Sequence, residues 1–303
     1  MTNTVTINDV GPRDGLQNQP KILSPEERLQ MIRALLAAGV THIEVGSFVS
    51  PKAVPAMAGA DRVVSGLSDQ PSGYFTVLIP NLKGYELARE AGAKSVAMVL
   101  YGSEGMAQKN VNMGKHRAEE VTAAILEQAS GDGIRVTATI AVAYECPFDG
   151  PTEPAEVQRI AAHFLDLGAD EIAIADTIGA ANPCQVRQLM DRLVERHGAE
   201  QLSCHFHDTR AMGLANVFAA LESGIHKFDA SIGGLGGCPF APGATGNVAT
   251  EDVVMMLHQM GYQTGIDLPA LVRAAELAKS LTGTAPLGRS TPWLKRYLER
   301  TAA

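Results

Sequence analysis

Ser203-Cys204-His205-Phe206-His207-Asp208-Thr209 sets two histidines on one side of an extended segment, because side chains on a strand alternate between faces with a period of two. Both imidazoles can therefore address one atom. The run before them, Gln201-Leu202-Ser203-Cys204, has strand character, while 211–224 reads as a helix, so the histidines close a strand where a strand-to-helix loop begins. In a closed barrel of alternating strands and helices, that end carries the chemistry. Taken alone, the pattern fits a hydrogen-bonded strand histidine as well as a metal ligand pair, so the decision passes to the rest of the chain.

Working outward, short β-branched runs alternate with alanine- and leucine-rich segments of helical period, the βαβα signature of a parallel sheet. Strands are expected at 5–10, 42–45, 74–79, 95–100, 135–142, 171–175, 202–207 and 228–232, each followed by a helical segment. In the first helix, 25–38, Ser24 and Glu27 form a capping box around Pro25 and Gly39 supplies the stop. Gly92, Gly168 and Gly224 end later helices in the same way. Eight strand–helix units over about 260 residues predict a closed (β/α)8 TIM barrel, whereas an open doubly wound sheet would carry a Gly-x-Gly-x-x-Gly turn after its first strand, absent here. The expected organisation is a catalytic barrel over 1–265 and a C-terminal helical appendage over 266–303 packed on it.

The 303 residues carry a formal charge of -8 with acids and bases interspersed, which gives no basic stripe for tracking a phosphate backbone and excludes nucleic acid as the expected partner. No apolar run approaches the roughly 18 residues that span a bilayer, so no membrane partner is expected. Cys146, Cys184, Cys204 and Cys238 are widely spaced, with no Cys-x-x-Cys pair and no leader pattern at 1–8. Free thiols in a reducing cytoplasm are the expectation, and a homodimer is possible.

Polar groups gather at the strand exits. The first strand delivers Asp9-Val10-Gly11-Pro12-Arg13-Asp14-Gly15, in which flanking glycines suggest a backbone shaped for a ligand rather than a surface ion pair. The second ends in Glu44-Val45-Gly46-Ser47 and the sixth in Asp176-Thr177-Ile178-Gly179. With Asp14 near the barrel axis, His205 and His207 would complete a His, His, carboxylate set suited to Mg²⁺, Mn²⁺, Fe²⁺ or Zn²⁺. The glycine-rich run 233–247 after the eighth strand is too long for an ordinary barrel connection and reads as a mobile active-site loop, with Cys238 its one reactive side chain. Asn247 could cap the following helix or complete a metal shell.

Val10-Gly-Pro-Arg-Asp-Gly-Leu-Gln-Asn18, Ile43-Glu-Val-Gly-Ser-Phe-Val-Ser-Pro51, Pro80-Asn-Leu-Lys-Gly84, Asp176-Thr-Ile-Gly179, His205-Phe-His-Asp-Thr209 and Gly234-Leu-Gly-Gly-Cys-Pro-Phe-Ala241, in that order, resemble the 3-hydroxy-3-methylglutaryl-CoA lyase family from about 5 to 265. The wider superfamily comprises metal-dependent lyases and Claisen-type synthases. The resemblance implies the family's barrel, a divalent ion (Mg²⁺ or Mn²⁺) on Asp14, His205, His207 and Asn247, a cysteine loop closing over an acyl-CoA substrate, and release of acetyl-CoA by retro-Claisen cleavage. It implies Arg13 as stabiliser of the enolate, Cys238 as its proton donor, and either His205 or Glu44 as the base. Gln17, Asn18 and Thr177 follow as substrate contacts. A related lyase or a Claisen-type synthase acting on a different hydroxyacyl-CoA is the alternative.

One region departs from the resemblance. After the fifth strand an arginine and a tyrosine would be expected, and the chain has Thr137, Thr139, Ala141 and Val142 before Cys146-Pro147-Phe148; the fourth strand ends in the bulky Tyr101. Arg210, following the histidine strand, is the expected replacement cation for a substrate carboxylate.

Overall fold

The structure is a computed structural model that describes residues 3–237, 246–284 and 287–301. Its strands, in chain order, are β1 Thr6–Asp9, β2 His42–Ser47, β3 Tyr74–Leu78, β4 Ser95–Tyr101, β5 Arg135–Ala141, β6 Glu145–Cys146, β7 Gly150–Pro151, β8 Glu171–Asp176, β9 Leu202–Phe206 and β10 Lys227–Ala230. All eight expected strands are among them, and these close into one parallel barrel in the order β1-β10-β9-β8-β5-β4-β3-β2. Between β5 and β8, β6 and β7 make a small antiparallel hairpin. The chain is thus a (β/α)8 TIM barrel, with helices Leu268–Thr282 and Thr291–Thr301 beyond the eighth unit.

The helical layer follows from the caps and the apolar stripes. Ser24 accepts from the Glu27 N–H at 3.2 Å while Glu27 accepts from the Ser24 N–H at 2.8 Å, closing the capping box that starts helix Pro25–Ala37. Leu271, Ala274, Ala275 and Ala278 of helix Leu268–Thr282 join the same apolar core as the barrel strands. The C-terminal segment is also held by charge: Glu251 accepts from the Gly288 N–H at 2.7 Å, and Asp252 from the N–H groups of Arg289 and Ser290 at 2.8 and 2.9 Å. Among the described residues no helix is long and apolar enough to cross a membrane.

A barrel axis is ordinarily filled by layers of bulky branched side chains. Here β4, β5 and β8 line a cavity of about 690 Å³ with Ala97, Val99, Thr137, Thr139, Ala141, Ala173 and Ala175, mostly small, and with the bulkier Tyr101, Arg135 and Glu171 at the strand ends. Deleting volume from three adjacent strands is costly for packing, and it positions the site by giving it depth.

The base of the first loop is fixed by a fully buried acid. Asp9 accepts from the Gly11 N–H at 2.9 Å and from the Thr250 hydroxyl at 2.6 Å, tying β1 to helix Thr250–Gln259. Burial nevertheless pushes its pKa up to about 7, against the pull of those hydrogen bonds. An acid whose pKa is raised by folding adds stability below its unfolded pKa, and that stability drains away as pH rises towards the folded value. Asp9→Asn keeps an acceptor for Gly11 and can donate to a reoriented Thr250 hydroxyl. Urea unfolding should therefore show Asp9→Asn gaining on the unaltered protein between pH 5 and pH 7, by up to about 3 kcal/mol at about 1.4 kcal/mol per pH unit, with no further gain above. Parallel pH profiles for the two proteins would remove Asp9 as the titrating group.

Candidate active site

The first loop reaches the axis by a tight turn. After β1 the chain makes one π-helical turn, Gly11–Gly15, closed by the Gly15 N–H donating to the Val10 carbonyl at 3.1 Å. Glycine is required at both ends by close approach. A Cβ on Gly11 would lie 2.7 Å from Ile232 Cγ2, and one on Gly15 would lie 2.8 Å from Leu235 Cβ, so the turn is pressed against the exit of β10. Arg13 and Asp14 are thereby held over the barrel mouth.

Arg13 bridges two carboxylates. Its Nε and Nη2 donate to Glu44 Oε2 at 2.7 and 2.6 Å, and its Nη1 donates to Asp14 Oδ1 at 2.8 Å. Glu44 reaches inward from β2 just before a register shift between Glu44 and Gly46. Burial lifts the Glu44 pKa to about 7 although Arg13 opposes it. Asp14 has the opposite fate in the same cluster. Burial raises it, but the charges of Arg13, His205 and His207 and a hydrogen bond from Asn247 outweigh burial and hold it at about 2. Two carboxylates on one guanidinium are thus pushed apart, one kept ionised and one poised near neutrality.

His205 and His207 both face the axis from β9 and its exit, their ring centroids 5.2 Å apart. One nitrogen of each and one carboxylate oxygen of Asp14 lie within 4.8 Å of one another. Asn247, antiparallel-bridged to His207, donates from Nδ2 to Asp14 Oδ2 at 2.7 Å and to the Leu235 carbonyl at 3.1 Å. Its Oδ1 is buried and has no hydrogen-bond partner among the described residues. An acceptor oxygen orphaned beside a carboxylate and two imidazoles is what a divalent cation would satisfy, and a mixed oxygen and nitrogen set fits a hard or borderline ion. The residues present therefore fit the metal that the sequence resemblance implies. Burial pulls the His205 pKa down, and the hydrogen bond and charge of Asp229, with the charge of Asp14, more than offset it, leaving the group raised.

Gln17, Asn18 and Thr177 line the cavity with Arg13, Asp14, Glu44, His205 and His207. Asn18 donates to the Gly237 carbonyl at 3.0 Å, and Thr177 accepts from the Val142 N–H at 2.8 Å. Arg210 is placed differently: it is not among the cavity-lining residues, and its guanidinium donates to the carbonyls of Gly179, Ala180 and Ala181. Those carbonyls follow a turn that Asp176 ties down by accepting from the N–H groups of Ala180 and Ala181 at 2.8 and 3.1 Å, so the sixth exit acid braces its own loop. Cys238 lies outside the described residues; its neighbour Gly237 lines the cavity.

Two residues at the heart of the cluster escaped the sequence reading. Asp229 of β10 pairs with His205 Nδ1 through Oδ2 at 3.0 Å, and Asn8 of β1 donates to Asp229 Oδ1 at 2.8 Å. The available signal was the alternation Lys227, Asp229, Ser231, which puts Asp229 on the inner face of its strand.

The HMGL-like family model matches residues 4–278. An (R)-citramalyl-CoA lyase of Chloroflexus aurantiacus is 43% identical over 300 residues, 96% of this chain and 93% of that protein. A hydroxymethylglutaryl-CoA lyase of Pseudomonas mevalonii is 41% identical over 286 residues, 94% of this chain and 95% of that protein. An HMG-CoA lyase from A. baumannii, solved in complex with coenzyme A and 3-methylmalate, has a TM-score of 0.91 at 40% identity and covers 96% of this chain and 95% of its own. A barrel of this strand order, a cluster of this composition and matches along nearly the whole length lead to one conclusion: the chain belongs to the HMGL-like family.

Proposed function

We propose that this protein is a divalent-metal-dependent lyase that cleaves a 3-hydroxyacyl-CoA, 3-hydroxy-3-methylglutaryl-CoA or a close analogue, by retro-Claisen carbon–carbon cleavage to acetyl-CoA and a keto acid. The observation that carries this reading is the meeting of Asp14, His205, His207 and the orphaned Asn247 Oδ1 beside the Arg13–Glu44 pair, at the mouth of a deep cavity. Relatives named as acyl-CoA lyases support it over a Claisen-type synthase.

In this reading Asp14, His205, His207 and Asn247 hold Mg²⁺ or Mn²⁺, a choice supported by the oxygen donors in the set. When bound, the ion supplies Lewis acidity and a template for the substrate's hydroxyl oxygen. Removing the hydroxyl proton falls to Glu44: its raised pKa of about 7 suits a general base at neutral pH, while both nitrogens of His205 have other duties, one toward Asp229 and one toward the ion. As the carbon–carbon bond breaks, its electron pair becomes the enolate of acetyl-CoA, and Arg13 offers guanidinium N–H groups to the enolate oxygen. Cys238 then gives its thiol proton to the enolate carbon. Gln17, Asn18 and Thr177 contact the substrate, and Arg210 serves them by holding the Gly179–Ala181 turn next to Thr177. The catalytic barrel spans 1–265 with 266–303 as its appendage. Cytoplasmic residence belongs to the same reading and is supported by the free thiols Cys146, Cys184 and Cys204.

The test is acetyl-CoA release from 3-hydroxy-3-methylglutaryl-CoA and from citramalyl-CoA, with Mg²⁺ or Mn²⁺ and after chelation. The expected result is kcat/KM of about 10⁴–10⁸ M⁻¹s⁻¹ on 3-hydroxy-3-methylglutaryl-CoA, lost on chelation and restored by the ion. Release of no acetyl-CoA from either thioester, or turnover indifferent to chelation, would overturn the reading.

A further inference from the structure

The register of three neighbouring strands lines up a polar row across the inner barrel wall. Asn8 of β1 is the cross-strand partner of Asp229 on β10, and Asp229 is in turn the partner of His205 on β9. The side chains follow the backbone register: Asn8 Nδ2 donates to Asp229 Oδ1 at 2.8 Å, and Asp229 Oδ2 lies 3.0 Å from His205 Nδ1. All three line the cavity, one strand pair apart, at one height in the barrel.

An ionised carboxylate can only accept, so a hydrogen bond between Asp229 and His205 places the imidazole proton on Nδ1 and leaves the Nε2 lone pair free. The amide of Asn8 donates to the other carboxylate oxygen, which stops the carboxylate from rotating and with it the ring. Free of this row, a neutral histidine divides between two tautomers and several ring angles, and only part of that population can ligate through Nε2.

We propose that Asp229 is a positioning residue that fixes the tautomer and ring angle of His205 for metal binding, with Asn8 as the residue that fixes Asp229. The assignment rests on the metal-dependent reading given above. It concerns neither substrate contact nor proton transfer, since Asp229 acts through His205. Outer partners of ligating histidines are typically worth 10–100-fold in metal affinity.

The experiment reads the metal directly. Mn²⁺ is titrated into the full-length apoprotein by calorimetry or by the EPR signal of the free ion, and the His205 tautomer is read from ¹⁵N shifts of labelled imidazole in the same apoprotein. Asp229→Asn should raise the Mn²⁺ Kd by about 10–100-fold and introduce the Nε2-protonated form of His205. In that variant the carbonyl of the new amide turns to accept from Asn8 and its NH2 faces His205 Nδ1, which makes that nitrogen the acceptor and moves the imidazole proton to Nε2. The exchanged double variant, Asn8→Asp with Asp229→Asn, draws that NH2 back to a carboxylate on β1, and the carbonyl oxygen of the new amide again accepts from His205. The exchange should recover the Nδ1-protonated tautomer and part of the Mn²⁺ affinity, a rescue that a merely structural ion pair does not predict. Unchanged Mn²⁺ affinity and tautomer in Asp229→Asn would overturn the positioning role alone. Failure of the unaltered protein to bind Mn²⁺ would overturn the metal reading and this inference with it.

Discussion

Asp14→Ala is expected to weaken Mn²⁺ binding by more than about 100-fold and to cut kcat/KM by at least as much, since loss of a ligand should exceed the 10–100-fold typical of an outer partner. Asp14 is the one carboxylate in a set otherwise made of two imidazoles and an amide oxygen, so it supplies the only formal negative charge in that set. Its removal also strands two donors, Arg13 Nη1 and Asn247 Nδ2, which now give their hydrogen bonds to Asp14. The ligand set then keeps no carboxylate to balance the charge of the cation it must accept. Because Arg13, His205 and His207 hold the Asp14 carboxyl at about 2 against burial, the ionised group also stabilises the apoprotein above its unfolded pKa, and that contribution is lost only as pH falls towards 2. A modest drop in apoprotein Tm at pH 7 is therefore part of the expected result. Asp14→Asn, which keeps one oxygen and the shape, should fall between. Mn²⁺ calorimetry at fixed pH checks both variants, and an Asp14→Ala titration that overlays the unaltered protein would remove Asp14 from the ligand set.

That prediction was within reach of the sequence because the signals behind it are local. The period of two puts His205 and His207 on one face, and glycines either side of Arg13 and Asp14 announce an unusual turn. Counting strands led to the barrel, since each strand carries its own β-branched run and the helices between them carry caps and glycine stops. What the sequence hid depends on distant partners. Asp229 acquires meaning only when β10 is laid between β1 and β9 in one register, which no local pattern reports. Arg210 looked like a free cation at a strand exit, but three carbonyls of the neighbouring loop face it, and a guanidinium with five donors is drawn to such a cluster. Asp176 looked like a third acid at a strand exit, and it accepts from its own loop, from the N–H groups four and five residues on. The cavity itself was foreshadowed only as missing side chains: Thr137, Thr139 and Ala141 stand out as a departure, and the space they leave becomes apparent once Ala97, Ala173 and Ala175 are seen on the flanking strands.

Arg13→Met should reduce kcat by about 10³-fold while changing KM far less, because the guanidinium is assigned to charge that appears only as the carbon–carbon bond breaks. Loss of one preorganised donor at an oxyanion typically costs 10²–10³ in kcat. The upper end applies here because Arg13 does a second task. Its Nε and Nη2 both fall on Glu44 Oε2, so methionine leaves that buried carboxylate without its cation. Burial already lifts Glu44 to about 7, and Arg13 is the chief group pulling it back. Without Arg13 the Glu44 pKa moves further up, so the acid limb of the kcat/KM profile should shift to higher pH, and at pH 7 less of the base is ionised. Arg13→Lys separates the two tasks. An ammonium keeps the charge beside Glu44, but it cannot span from Glu44 to Asp14 Oδ1 with a planar fork as the guanidinium does. Lysine should therefore return the acid limb towards its original position and recover only part of kcat. If both variants keep kcat within about tenfold of the unaltered enzyme and leave the acid limb in place, Arg13 is a structural bridge between two carboxylates and the enolate must be stabilised by another group.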